Sequence, residues 1–133
     1  MGEAQASAQA SALSAREESA VAEAIGTGIA LHKRGLLHEA ERLYAGVLRL
    51  APHHFQALLL LGRVRHNQGN IAEALELIGA AVNVNTGSAD AFADHGRILL
   101  QLRRFDAALV SLNKALALAP DHPHALLGRA GVS

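Results

Sequence analysis

The side chains here with the most familiar chemistry are eight histidines, and their spacing decides whether they can bind a metal ion. His53 and His54 are adjacent, and His122 lies two residues before His124, so each pair is able to hold a metal loosely. A zinc site needs three or four ligands, and no carboxylate or thiolate completes either set, since the chain has no cysteine. The sequence therefore predicts no metal site and no cofactor, with these histidines solvated in loops.

Other catalytic patterns are equally incomplete. Residues 26–28 (Gly-Thr-Gly) lack the third glycine of a phosphate-binding loop, and no strand precedes them. Asp90 and Asp94 lie four residues apart, as expected for the charged, exposed face of a helix. The chain has neither G-x-S-x-G nor H-E-x-x-H. We therefore predict a protein that is not an enzyme.

The amino-acid composition argues against several classes of binding partner. The 133 residues are 50% hydrophobic, enough for a core, and carry 12 basic and 12 acidic side chains. A net charge of zero argues against binding to nucleic acid or an anionic membrane, and 3% aromatic residues are too few for base stacking. The longest apolar run is four leucines, and the first 15 residues lack the positive charge of a secretory signal. These features predict a cytoplasmic protein with no membrane or nucleic-acid partner.

A period of 34 residues organises the chain. Glycines and alanines recur at this spacing and two prolines at twice the spacing, with Thr86 between them, which predicts three copies of one structural unit. Apolar residues at helical spacing predict two helices in each copy. The recurring residues are Gly28, Gly62 and Gly96; Ala40, Ala74 and Ala108; and Pro52 and Pro120.

The recurring glycines indicate a close approach between helices. A glycine inside a helix costs about 1 kcal/mol relative to alanine, so its repetition at one position calls for a packing reason. We expect the first helix of each copy to cross the second there, with the recurring alanine as the small residue opposite.

Turns and helix starts have their own signals. Gly35 and Gly69 mark the turn between the two helices in the first two copies, whereas the third copy has Arg103. A left-handed backbone at a non-glycine residue costs about 1 kcal/mol, so the third turn is either rebuilt or strained. Two capping boxes are predicted, Ser14 with Glu17, opening a helix over 15–33, and Asn70 with Glu73.

The pattern resembles the tetratricopeptide repeat family. The resemblance implies an all-α fold, a right-handed superhelical solenoid of helix-turn-helix repeats. It also places His95 where leucine is usual, and we expect a packed, hydrogen-bonded histidine there. The matching residues are Leu58, Leu61 and Gly62, Ala40 and Tyr44, Phe92 and Gly96, and the two prolines.

The period divides the chain. Residues 1–14 form an Ala/Ser/Gln-rich lead-in that we expect to be mobile, and residues 15–133 form the repeat domain. The repeats cover about 21–54, 55–88 and 89–122, with a partial fourth over 123–133. Stretches of the sequence are also similar to bacterial repeat proteins, some of which carry a glycosyltransferase domain after the repeats.

In this family the first helices of successive repeats line a concave groove that binds peptides or partner helices. The resemblance therefore predicts a scaffold for a protein or peptide partner. We expect an apolar first part and a basic ridge formed by Arg63 and Arg97, suited to a segment with apolar anchors and some acidic residues. The groove residues implied are Ile25, Ile29, His32, Lys33, Gln56, Leu59, Arg63, His66, Asn67, Asp94, Arg97 and Gln101.

Two alternatives remain open: the substrate-recruiting front end of a larger glycosyltransferase-like enzyme, and a self-assembling structural module. The second rests on the apolar half-repeat at the C-terminus. A repeat buries its apolar face against its neighbour, and this half-repeat has none after it. We expect weak self-association through Leu126, Leu127 and Ala130.

Overall fold

A computed structural model describes residues 13–132, so the predicted mobile lead-in lies outside the described residues except at its end. Over that range the chain forms α-helices joined by short turns, which confirms an all-α fold built from helix-turn-helix repeats. None of these helices combines the length and the apolar character needed to cross a membrane. The helices are α1 (Ala15–Lys33), α2 (Leu37–Leu50), α3 (Phe55–Asn67), α4 (Ile71–Val84), α5 (Ala89–Gln101), α6 (Phe105–Leu118) and α7 (Pro123–Val132).

The chain divides into two compact units, one ending at Pro52 and the other beginning at His53. The first unit contains α1 and α2. Helix α1 begins with the predicted capping box: the Ser14 hydroxyl accepts a hydrogen bond from the Glu17 amide, and the Glu17 carboxylate accepts one from the Ser14 amide. This box satisfies two amide donors that a helix start leaves without partners, and α1 has the predicted bounds.

The second unit contains α3 to α7. Consecutive helices pack against one another, and α7 also contacts α5. Its core is formed by apolar side chains that recur on one face of each helix. The largest fully buried ones are Val64, Ile78, Ile98 and Leu112.

The recurring glycines mark close helix crossings, as predicted, but the atom nearest to an added Cβ belongs to a large side chain, and the expected alanine is among the three nearest atoms only at Gly96, where Ala108 O lies 3.2 Å away. An added Cβ would lie 2.5 Å from Tyr44 Cε1 at Gly28, 2.5 Å from Ile78 Cγ1 at Gly62 and 2.6 Å from Leu112 Cγ at Gly96. The side chain nearest to the added Cβ is therefore a large one in each repeat, and it lies four residues after the expected alanine. The alanines are fully buried as well, but the glycine makes room for the bulky neighbour one turn later.

The turn inside each repeat requires a left-handed residue. Gly35 and Gly69 have φ of 78° and 83°, and Arg103 has φ of 59°. In each turn this residue's amide bonds to the carbonyl three residues earlier, and the next amide bonds five residues back. The third turn is thus not rebuilt around its arginine, and Arg103 holds a backbone conformation that glycine adopts without cost.

The predicted capping box at Asn70 is wrong. The Asn70 side chain makes no capping bond, and its Nδ2 donates instead to the Glu73 carboxylate at 2.7 Å. The reason lies in the preceding turn, where the Asn70 amide already donates to the carbonyl of Arg65 at 2.8 Å. A reciprocal box needs that amide, so the turn and the box exclude each other.

Candidate functional site

In the second unit, the first helices of neighbouring repeats are joined by polar side chains. Arg63 Nε on α3 donates to Asp94 Oδ2 on α5 at 2.6 Å, forming an ion pair. Further along, His66 Nε2 lies 2.7 Å from Gln101 Oε1. These two contacts place the polar residues of α3 and α5 on one surface, which we call the α3–α5 face. It comprises Arg63, His66, Asp94 and Gln101, with Arg97 at the cavity beside them, and we assign Gln56 and Asn67 to it by their helical spacing from Arg63.

The electrostatics of this face depend on which charges are paired. Arg63 is half-buried and neutralised by Asp94, whereas Arg97 is exposed, and no ion pair joins it to any residue within 13–132. The predicted basic ridge is therefore interrupted. A small cavity of about 30 Å³ lies beside Arg63, Asp94 and Arg97 and is large enough for a water molecule. The arrangement offers one available guanidinium beside a neutral pair.

His122 connects the start of α5 with the start of α7. Its Nδ1 accepts a hydrogen bond from the Ala125 amide at 3.2 Å, which caps α7. Its Nε2 lies 2.6 Å from Asp90 Oδ1. Because Nδ1 is an acceptor, the proton sits on Nε2 and is donated to the carboxylate. His54 caps α3 in the same way, accepting at Nδ1 from the Ala57 amide.

His95 is packed and hydrogen-bonded, as predicted. Its Nδ1 lies 2.7 Å from the hydroxyl of Ser111, a buried polar side chain. Its Nε2 lies 3.7 Å from the point where a Cβ on Gly79 would stand, so the ring spans from α6 to α4. Burial, with a smaller contribution from the Lys114 ammonium, lowers the pKa of His95 below 6.5. Its position between helices marks it as part of the core.

Within residues 13–132, no group of three or more histidine, aspartate and glutamate side chains is placed to hold a metal ion. His122 and His124 have ring centres 6.0 Å apart, and both nitrogens of His122 are already hydrogen-bonded. Nothing in this part of the chain arranges these rings around a common centre.

Burial separates the predicted groove residues into two groups. Ile25 and Leu59 are only 6% and 7% exposed and belong to the core, so neither is available as an apolar anchor for a ligand. In the first unit, Ile29 and His32 are half-buried and Lys33 is exposed, in the last turns of α1. These three remain predicted binding residues of that unit. The remaining seven predicted residues make up the α3–α5 face.

The predicted self-association edge lies on α7. Leu126 is 46% exposed and Leu127 is 72% exposed, while Ala130 is also exposed. Ala125 and Gly128 face the opposite way and are buried, and an added Cβ on Gly128 would lie 2.9 Å from Leu112 Cδ2. One side of α7 thus covers the third repeat and the other presents leucines, while self-association itself remains a prediction.

Sequence reasoning missed the polar links between repeats. The bonded pairs are separated by 31, 35 and 32 residues, each close to one period. A search for complementary polar residues one period apart, with a tolerance of three, contains all of them. It also missed a cavity of about 300 Å³ in the first unit, between α1 and α2.

Comparison with known proteins identifies the same repeat. Profiles of the tetratricopeptide repeat match residues 31–94 and 93–132. The protein adenylyltransferase Fic of Drosophila grimshawi is 34% identical over 103 residues, which are 74% of this chain and 21% of that protein.

Solved structures agree. A mutant O-GlcNAc transferase from Thermobaculum terrenum superposes with a TM-score of 0.84 at 27% identity, over 90% of this chain and 23% of that one. The first tetratricopeptide domain of Spaghetti, bound to an HSP90 peptide, superposes with a TM-score of 0.81 at 18% identity, over 86% of this chain and 90% of that one. This last likeness concerns the fold. The chain spans about a fifth of the length of the adenylyltransferase and of the O-GlcNAc transferase.

Proposed function

Because this chain belongs to the tetratricopeptide repeat family, we propose that it is a protein-interaction module that binds a peptide or helix of a partner protein. We further propose that it has no catalysis of its own and acts in the cytoplasm. The observation that carries the proposal is the α3–α5 face, a polar surface on which Arg63 is bonded to Asp94 and His66 to Gln101 across neighbouring repeats. Such a surface is ordered before a ligand arrives, which lowers the entropic cost of binding.

The chemistry of this face selects the ligand. Gln56 is an exposed amide suited to hydrogen bonding with a peptide backbone. Arg97 offers a guanidinium that can bind a carboxylate in two parallel hydrogen bonds. Since Ile25 and Leu59 are buried, the contact is mainly polar, and we propose a segment containing at least one acidic residue.

The test compares fluorescein-labelled peptides that differ in charge. A peptide with one central glutamate is expected to bind the wild-type chain, and its Glu→Lys counterpart to bind about tenfold more weakly. Arg97→Glu should abolish this preference, because it removes the available guanidinium and leaves the Arg63–Asp94 pair in place. Arg16→Glu makes the same charge change on α1 and should leave the preference unchanged. Equal binding of both peptides by the wild-type chain contradicts the proposal.

A second candidate is the recruiting front end of a larger enzyme, favoured by the 27% identity to the O-GlcNAc transferase, of which the chain spans 23%. Similarity to the adenylyltransferase Fic supports the same idea with a different chemistry. Both candidates assign the repeats a binding role. Sequencing the native messenger RNA beyond the codon for Ser133 distinguishes them, since a catalytic domain in the same reading frame would establish the second.

A further inference from the structure

The cavity between α1 and α2 belongs to the first unit, and none of its lining residues is part of the α3–α5 face. It measures about 300 Å³, within the range of small ligand sites, and is open to solvent. Its apolar lining includes Val21, Val47 and Leu50, and its small lining residues are Ala20, Ala24 and Gly46.

The repeat period shows what fills this space elsewhere. The register of Ala24 holds Leu58 in the second repeat and Phe92 in the third, and both side chains are buried. At the register of Gly46 the third repeat has Lys114, whose ammonium lies 5.5 Å from the centre of the Phe92 ring. The first repeat thus has the small residues Ala24 and Gly46 where the third has the Phe92 ring and the Lys114 ammonium beside it. The cavity lies at the position of the large apolar side chain of the other repeats, and at about 300 Å³ it has room for one.

The charges around the cavity distinguish it further. Arg42 and Arg49 line it, and neither is in an ion pair with any residue from 13 to 132. The Arg49 side chain extends back along α2 to Gly46, and its Nη2 lies 3.5 Å from the point where a Cβ on Gly46 would stand. The matching registers in the other repeats hold Glu76 and Val110, and Asn83 and Ala117, so the paired cations are specific to the first repeat. An apolar cavity between two available guanidinium groups complements a large apolar side chain flanked by carboxylates.

In the second unit, the first helix of a repeat has a helix as its neighbour. There helix α4 packs against α5, and His95, one turn after Phe92, lies over Gly79 of α4. We therefore propose that the α1–α2 cavity is a docking site for an acidic amphipathic helix of a partner protein, which inserts one phenylalanine or leucine side chain above Ala24. Arg42 and Arg49 then bind carboxylates one turn before and after that anchor.

The probe is a fluorescein-labelled, alanine-based helical peptide of about 16 residues, long enough to be partly helical alone. It carries a central phenylalanine with glutamates four residues before and after. Two control peptides replace the phenylalanine with alanine, or the glutamates with lysine. By fluorescence polarisation on the full chain, each control peptide should bind about tenfold more weakly than the probe.

The matched variants place the same side chain inside and outside the cavity. Ala24→Phe fills it with the residue that the third repeat has there, and should weaken probe binding about tenfold or more. Ala22→Phe adds the same ring at an exposed position outside the lining and should bind the probe as wild type does. If circular dichroism shows that Ala24→Phe is unfolded, Ala24→Leu reproduces the second repeat and is expected to have the same effect. Arg42→Glu with Arg49→Glu should reverse the preference toward the lysine peptide.

Three results would overturn the proposal. One is that wild type binds all three peptides equally or none of them. Another is that Ala24→Phe retains full affinity. The third is that deleting residues 1–12 raises the affinity for the probe about tenfold, because the chain's own N-terminal segment would then be the occupant of the cavity. Arg97→Glu is expected to leave the difference in affinity between the phenylalanine and alanine peptides unchanged, because that difference reports the cavity and not the α3–α5 face.

Discussion

Two glycine positions recur in the repeats, and they differ in how strictly they are kept. At the helix crossing, all three repeats have glycine, at Gly28, Gly62 and Gly96. At the turn, the third repeat has Arg103 in place of glycine and keeps the same backbone conformation. The crossing is limited by space, because a Cβ would enter the volume of a buried side chain. The turn is limited only by a conformational preference, which costs about 1–2 kcal/mol and leaves the geometry possible.

The largest expected effect tests the spatial limit within one helix. Gly28→Ala places a Cβ 2.5 Å from the buried ring of Tyr44, and we expect overpacking to lower the free energy of unfolding by about 1–3 kcal/mol. Gly26→Ala, two residues earlier, meets no atom within 4 Å and should raise it by up to about 1 kcal/mol through helix propensity. Urea unfolding of the two variants measures both. Equal shifts of the same sign would remove the spatial argument.

The turn should respond in the opposite direction. Arg103→Gly relieves the left-handed strain and should raise the free energy of unfolding by up to about 1 kcal/mol, reduced by the greater flexibility of glycine in the unfolded chain. The reciprocal change, Gly69→Arg, should lower it by a similar amount. A loss above about 1 kcal/mol for Arg103→Gly in denaturant unfolding would reveal a compensating contact of the arginine side chain.

The smallest effect concerns His95, another residue by which the third repeat differs, since the second has Leu61 at that register. Burial lowers the pKa of His95 below 6.5, so in the window below 6.5 the unfolded chain binds more protons than the folded chain. Stability should therefore fall as the pH is lowered from 7 into that window. His95→Gln keeps a partner for Ser111 without titrating and should flatten the profile, whereas His53→Gln at an exposed loop should not. A slope unchanged in His95→Gln would assign the pH dependence to other groups.

The sequence predicted the elements well because they repeat. Three copies of each signal reinforce one another, and the start of α1 follows from its capping box. The alternating helices, the glycine turns and the packed His95 all depend on local spacing or on one register, and all were recovered.

The candidate site was predicted less completely because it depends on how helices are offset and rotated. Arg63 binds Asp94, 31 residues away, only because α3 and α5 lie at a particular offset along their axes. The burial of Ile25 and Leu59 depends on the rotation of each helix, which a register cannot specify. The cavity beside Ala24 lies where the other repeats have a large side chain, and spacing patterns detect only the residues that are present. The prediction of a capping box at Asn70 was wrong because the Asn70 amide hydrogen is already donated to the Arg65 carbonyl in the turn.

The histidines that cap α3 and α7 each use the lone pair of one ring nitrogen as the hydrogen-bond acceptor. At the matching position of α5 the cap is Ser88, whose hydroxyl has two lone pairs and rotates freely. A neutral histidine has a single ring lone pair available, and in His54 and His122 it is directed at a backbone amide. The remaining N–H of His122, at Nε2, is directed at Asp90, so this proton lies in a hydrogen bond between the start of α7 and the start of α5. In this part of the fold the tautomer of a ring, as much as its shape, is a structural component.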